Sequence, residues 1–316
     1  MADGFLCHTA GVRVKPRAWL AALAAAGLCL LAAGGVVWFR SRALRPAALI
    51  ARLPRRDALI ASIDFDALRR AGILQLLDGS TVGQDPEYRS FVERTRFDYL
   101  RDLDAAVVAF APSGKFLLLR GRFDWKSLDA YVRSQNGHCD DALCRLTGSA
   151  PERLISFFPL RSNLMALAVS QDDSAALRMS TPAPADGAEI PAAPLWFSIP
   201  ASTLKSADSL PAGARPFAQA MGQADSATLA FTPEGGRIAA ALDIRCRKPA
   251  DAVEIASRLT AATALLRDAM AKEHQRPDPA GLSGVLAAGV FRAEGPRVLG
   301  RWPIEKVFLQ TVLAGN

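Results

Sequence analysis

The stretch AAVVAFAPSGKFLLLRGRF, Ala105 to Phe123, decides the fold. Two apolar runs rich in Val, Leu and Phe flank Pro112 and Gly114, residues that set a turn. The reading is an antiparallel hairpin. A second stretch, ATLAFTPEGGRIAAALDIRC, Ala227 to Cys246, repeats it. Ala109-Phe110 with Pro112 and Gly114 correspond to Ala230-Phe231 with Pro233 and Gly235.

The correspondence extends in both directions. Upstream, ALIASIDFDALRRAGILQLL from Ala58 and LWFSIPASTLKSADSL from Leu195 each pass from a β-like run into a helix, and Ser62-Ile63 and Leu68 match Ser198-Ile199 and Leu204. A short helix with a Phe anchor follows, around Phe91 and around Phe217. Downstream come a helix, Lys126 to Arg133 or the longer Ala250 to Glu273, then a strand pair and a short helix. In the longer helix Ala252, Ile255, Leu259, Ala262, Leu266 and Ala269 recur at three or four residues, which marks one buried face. The expectation is an α+β chain of two tandem antiparallel-sheet units, ferredoxin-like with extra elements, related by internal duplication. Residues 57–180 and 195–316 are the two units, and the Pro- and Ala-rich 181–194 is an extended linker. Consecutive hairpins without regular βαβ alternation exclude a Rossmann fold and a TIM barrel.

The whole chain has 316 residues, half of them apolar, which excludes an intrinsically disordered protein. Its five cysteines are too few for a disulfide scaffold. The net charge of +7 is local: residues 1–56 hold nine basic residues against Asp3 alone, a charge of +8, and the rest sums to −1. A nucleic-acid partner, which needs clustered Lys and Arg on a folded face, is therefore not expected.

The basic residues flank an uncharged run from Ala18 to Phe39, AWLAALAAAGLCLLAAGGVVWF. Its 22 residues at a helical rise span about 33 Å, enough for a bilayer core of about 30 Å. Trp19 and Trp38 lie near its ends, where indoles sit at the interface, and Arg17, Arg40 and Arg42 flank it. The expectation is a basic tail (1–17), a single transmembrane helix (18–39) and a basic juxtamembrane segment (40–56); cleavage as a signal peptide is the competing reading. The partner named by this segment is the lipid bilayer. Three basic residues before the helix and six after it favour a cytoplasmic body by the positive-inside rule. Cys139 and Cys144, five apart in NGHCDDALCRL, favour an oxidising compartment. The expectation is the bacterial inner membrane with a periplasmic body.

Candidate chemistry is sparse. Asp64 and Asp66 at a strand-to-helix passage offer an acid and base pair, but carboxylates there are ordinary helix caps. Cys139 and Cys144 read as a disulfide, as free thiols, or with His138 as part of a metal site that lacks a fourth ligand. Ser202 and Lys205 form an S-x-x-K spacing that serves serine acyl-transfer enzymes, without the S-D-N and K-T-G elements that accompany it. Ser202 is more simply a helix N-cap. No catalytic or metal residue is assigned, and no cofactor is expected. Trp125, Trp196 and Trp302 read as core, or as the lining of an apolar cavity.

The segment LPRRDALIASIDFDALRRAGIL (Leu53 to Leu74) resembles uncharacterised bacterial single-pass membrane proteins, in which Leu-Pro, a strand and an Asp-x-x-x-Leu helix open the domain beyond the anchor. TRFDYLRDLDAAVVAF (Thr95 to Phe110) and LSGVLAAGVFRAEGPRVLGRWPI (Leu282 to Ile304) are similar to later segments of such proteins. The resemblance implies an anchored body and carries over no functional residue. The function expected is a membrane-anchored, non-enzymatic ectodomain that binds a protein or a cell-envelope component. The alternatives are a tethered hydrolase using Ser202 and Lys205, and a carrier of an apolar ligand between the two units.

Overall fold

The hairpin at Ala105–Phe123 closes through a two-residue turn. In the computed structural model, β2 (Leu103–Ala111) and β3 (Gly114–Gly121) pair with Ala111 opposite Gly114, so Pro112 and Ser113 alone make the turn. Gly114 has φ +139°, and a Cβ there would come within 2.6 Å of the Val169 carbonyl oxygen, so the position needs glycine. The second hairpin joins β9 (Ser226–Glu234) to β10 (Arg237–Arg245). It runs two residues further, so Pro233 lies inside the ladder opposite Ile238 rather than in the turn where the sequence placed it. The structure describes residues 46–77, 86–148, 150, 152–184, 189–205, 215–234, 237–274, 277–308 and 311.

The remaining strands are β1 (Leu59–Asp64), β4 (His138–Asp140), β5 (Leu143–Thr147), β6 (Leu154–Arg161), β7 (Leu164–Ser170), β8 (Leu195–Pro200), β11 (Val290–Glu294) and β12 (Arg297–Ile304). All twelve belong to one antiparallel sheet, ordered β11-β12-β10-β9-β8-β1-β2-β3-β7-β6-β5-β4. The chain is therefore a mixed α+β protein built on a large antiparallel sheet. Two points correct the sequence reading. The expected tandem sheets are fused, because β1 pairs β8, with Ala61 opposite Phe197. The ferredoxin-like arrangement is absent, because β1, β2 and β3 pair in chain order instead of interleaving. A further hairpin, β4–β5, for which the sequence reading set no strands, holds Cys139 and Cys144.

Outward from the β1–β8 pair the ladder runs the same way on both sides. β1, β2, β3, β7 and β6 follow one another, as do β8, β9, β10, β12 and β11. Registers agree as well: Leu59 faces Phe110, and Leu195 faces Phe231. Phe157 faces Leu167, and Phe291 faces Gly300. The first of these last two hairpins holds one extra residue, accounted for by an irregularity between Pro159 and Arg161.

Helices cover one face of the sheet. α1 (Phe65–Arg70) buries Phe65 and Leu68 against Leu103 and Ala106. α2 (Trp125–Ser134) buries Leu128 and Val132 against Phe157 and Met165. α3 (Pro249–Lys272) begins with a proline at its first turn and packs Ala252, Ile255 and Leu259 over Leu242, Ile244 and Trp302. Its buried stripe ends at Met270, and Ala269, expected inside, is exposed. Gly300 has no side chain to fill its place in β12, and Phe291 lies over it, edge-on to Trp302 at 5.2 Å.

Packing begins earlier than position 57. Leu49 and Leu53 are buried, and the segment they belong to is tied to residues 179–184. Arg52 donates to the carbonyls of Met179 (3.1 Å) and Ser180, Arg55 to that of Pro184 (3.0 Å), and the Ala183 N–H to Ala51 (2.6 Å). Two basic residues of the expected juxtamembrane segment thus hold the chain together. The segment read as linker also lies against the body, where Pro194 accepts from the Asp64 N–H at 2.7 Å.

Candidate functional site

Cross-strand partners project to the same face of a sheet, so the register fixes what the second face carries. Outward from β1, one row is Ile60, Ala109, Phe116, Ala168 and Ser156, and the next is Ser62, Val107, Leu118, Ala166 and Phe158. Outward from β8, the rows in the same places are Trp196, Ala230, Ala241, Arg301, Val290 and Ser198, Thr228, Asp243, Leu299, Arg292.

The two halves of this face differ in cover. In the first, Val107, Ala109, Phe116, Leu118, Ala166 and Ala168 are all at most 1% exposed. A 3-10 turn, Ala175–Met179, packs there against β6 and β7, and the buried Ser156 hydroxyl accepts the Ala176 N–H at 3.1 Å. In the second half Ala241, Arg301, Arg292 and Val290 are exposed, Val290 by 68%. The result is a cavity of about 900 Å³. Its floor is Thr228, Ala230, Ala241, Asp243 and Leu299, and Glu189, Ile190 and Pro191 of the segment between the halves line it too. Its volume falls in the range of small-molecule sites.

Arginines crowd this cavity. Arg245 and Arg297 sit opposite one another on β10 and β12. Arg297 donates to both oxygens of Asp243, Nε at 3.1 Å, and this contact raises its pKa. Glu189 bridges the pair, 2.9 Å from Arg245 and 3.6 Å from Arg297. Arg301 and Arg292, which also line the cavity, pair with carboxylates beside it, Arg301 with Glu234 and Arg292 with Glu294 at 2.8 Å. Such exposed pairs contribute about 0–1 kcal/mol each, so they hold side chains in place without resisting exchange for another anion.

The residues singled out from sequence do not converge here. Asp64 is an N-cap, accepting from the Ala67 N–H at 2.8 Å. Asp66 pairs with Arg69 at 2.5 Å, and Arg69 also donates to Leu100 and Leu103 carbonyls. Ser202 and Lys205 are exposed at a one-turn helix, Ala201–Leu204, whose N-cap is Pro200 and not Ser202. Cys139 and Cys144 face each other across β4–β5 and form a disulfide. The Asp129 carboxylate lies within 4.8 Å of both sulfurs, but sulfurs bonded to each other are not thiolate ligands. Cys246 is free and buried, and burial raises its pKa. Trp196 and Trp302 are core. Trp19, Trp38, Arg17, Arg40, Arg42 and the 18–39 span lie outside the described residues. Among the described residues no helix is long and apolar enough to cross a membrane.

Sequence reasoning missed the cavity arginines. A signal was present: in RVLGRWPI the alternation sets Arg297, Leu299 and Arg301 on one face and Val298, Gly300 and Trp302 on the other. VFRAE does the same for Val290, Arg292 and Glu294. A strand with a core on one side and arginines on the other has one unpacked face.

The chain matches no family model and no curated protein. Among solved structures it is similar to three crystal forms of TP0453. Form I aligns with a TM-score of 0.48 at 10% identity, covering 84% of this chain and 96% of that one. Forms IV and III align at 0.46 and 11% identity, covering 84% of this chain and 95% and 97% of theirs.

Proposed function

We propose that this chain is a membrane-tethered binding protein of the bacterial envelope, without enzymatic activity of its own, whose binding face is the bare half of its sheet. One observation carries the reading: the same sheet face is sealed by the chain itself over β1–β3 and β6–β7, and is open, concave and arginine-lined over β9–β12. An internal duplication accounts for the matched ladder order and registers of the two halves. On that history one copy kept its cover and the other lost it, which turns a core position into a receptor position. Residues 18–39 are the single-pass anchor and the body is periplasmic. The Cys139–Cys144 disulfide supports that side of the membrane, because cytosolic disulfides are rare. The partner is a protein or another envelope component.

The test is site-specific photo-crosslinking in cells, with the full chain carrying a photoreactive residue at Ala241. The same residue at Leu265, exposed on α3, is the control. Adducts at Ala241 and not at Leu265 are expected. Equal labelling at both positions, or none at Ala241, would remove the bare face as the binding face. A reporter fused after Asn316 that is active only in the cytoplasm would reverse the orientation.

A further inference from the structure

The chemistry of the bare face follows from what stands in each place of the two halves. Where the sealed half carries Leu118, Ala168, Phe158 and Leu164, the bare half carries Asp243, Arg301, Arg292 and Arg297. Where Phe116 fills the sealed half, Ala241 leaves its volume empty. An apolar cover would take those guanidinium groups and their carboxylate partners out of water, which is costly, so the face is not built for a second apolar strap. Nor is it uniformly polar, since Ala230, Ala241, Leu299 and Val290 keep an apolar strip along it.

Four guanidinium groups and two carboxylates line the cavity, and Arg292 and Arg301 are engaged by Glu294 and Glu234 beside it, which leaves Arg245 and Arg297 with Asp243 and Glu189. Asp243 is fully engaged by Arg297 and holds it in place. Glu189 is different. It comes from the segment between the halves, its side chain is 71% exposed, and its carboxylate sits between Arg245 and Arg297. The protein's own carboxylate thus marks where an anion binds.

We propose that this cavity binds an anionic amphiphile. Its head group takes the place of the Glu189 carboxylate between Arg245 and Arg297, and its apolar chain lies over Ala230, Ala241 and Leu299. Arginine suits this role because its planar fork pairs with carboxylate and phosphate oxygens alike. Exchange of Glu189 for the ligand conserves the ion pairing and leaves the Asp243–Arg297 contact intact, so the net gain is the apolar surface covered. The inference rests on the bare face being the binding face, and narrows its ligand.

The test uses the full chain in lipid nanodiscs with a diazirine-bearing palmitate, and maps adducts by mass spectrometry. Labelling is expected within residues 226–245 and 290–304, suppressed by excess unlabelled palmitate or lysophosphatidate. The relative strength of these two competitors assigns the head group as carboxylate or phosphate. Hexadecanol, with the same tail and no charge, is expected to compete at least about tenfold less well. Ala241→Phe should abolish labelling and Arg245→Gln should weaken it about tenfold. Glu189→Gln should increase it, because it removes the internal competitor; a purely structural role for Glu189 would not do that. Competition by hexadecanol equal to that of palmitate, unchanged labelling in Ala241→Phe, or weaker labelling in Glu189→Gln would each overturn the proposal. So would protection by inorganic phosphate alone, or by an acidic peptide when neither amphiphile protects. A protein adduct at Ala241 in cells without amphiphile binding would overturn this proposal and leave the broader one standing. Amphiphile binding without any cellular adduct at Ala241 would do the reverse.

Discussion

Phe116 and Ala241 hold the same place in the sheet: each is third in the row that runs outward from the central strand pair, on the same face. Phe116 is 0% exposed, whereas Ala241 lines an open cavity. Opposite outcomes are expected from exchanging their sizes. Phe116→Ala should cost about 3–5 kcal/mol, from lost transfer energy and the cavity left behind. Ala241→Phe should change stability by no more than about 0.5 kcal/mol, because its ring would stand in space already open to water. Urea unfolding of the full chain measures both. A loss in Ala241→Phe as large as that in Phe116→Ala would mean that the second face is sealed in both halves.

Most of the strand layout was legible from sequence because apolar runs and turn residues are local signals. The hairpins at Ala105–Phe123 and Ala227–Cys246, the strand pairs after each, and the long amphipathic helix all form, though the second hairpin turns two residues later than its proline suggests and the last strand pair begins only at Val290, after a helix at Leu282–Ala287. The pairing of β1 with β8 was not legible. Both strands read as β-like runs passing into helices, and nothing in ALIASIDF or LWFSIP says which edge meets which. The short helix after the first strand pair was legible and forms as a 3-10 turn, but its role as a cover was not: Ala175, Ala176 and Met179 are small or flexible, and only the buried Ser156 hydroxyl beneath them shows that something docks there. The site was harder still, since it consists of what one half lacks relative to the other, and its one local trace is the arginine alternation of RVLGRWPI and VFRAE.

Ser156 tests that docking directly. Its hydroxyl is fully buried and accepts the Ala176 N–H at 3.1 Å. Ser156→Ala removes the acceptor and leaves a buried N–H unsatisfied, at about 1–3 kcal/mol. The loss should fall first on the cover. Amide exchange at Ala176 and its neighbours is expected to accelerate while the β9–β10 ladder keeps its protection. Equal acceleration in both would show that the turn has no separate stability, and no change would show that the hydrogen bond does not hold it.

The Cys139–Cys144 disulfide joins residues directly opposite each other on β4 and β5, at the edge of the sheet. A loop this short gains about 2 kcal/mol from restriction of the unfolded chain. The double substitution of Cys139 and Cys144 by Ser should lower the unfolding free energy by that amount or less. The added motion is expected within residues 138–147, because among the described residues β6 is the one strand that pairs the hairpin to the rest. Thiol labelling under non-reducing conditions should modify Cys246 only after unfolding, since it is buried. Rapid labelling of Cys139 or Cys144 in protein isolated from cells would mean that the pair is reduced there, and would count against a periplasmic body.

Tyr88 provides a pH signature of the helical side of the first half. Its hydroxyl donates to Asp98 Oδ1 and accepts the Tyr99 N–H, both at 3.3 Å, and its ring meets that of Tyr99 edge-on at 5.5 Å. Burial is the main cause that pushes the phenol up to about 12; the Tyr99 N–H opposes the shift, and the Asp98 carboxylate adds to it. The folded state therefore holds this proton more tightly than the unfolded chain, whose tyrosines titrate near pH ~10. The contribution to stability is complete below about pH 10 and is lost as pH rises through the folded value of about 12. Phenolate absorbance of the folded protein should show Tyr88 titrating late. Tyr88→Phe should remove that late step and flatten the decline of stability between pH 10 and about 12. Absorbance that Tyr88→Phe leaves unchanged above pH ~10, in protein that is still folded, would show that Tyr88 is solvated, and that its bonds to Asp98 and Tyr99 do not persist.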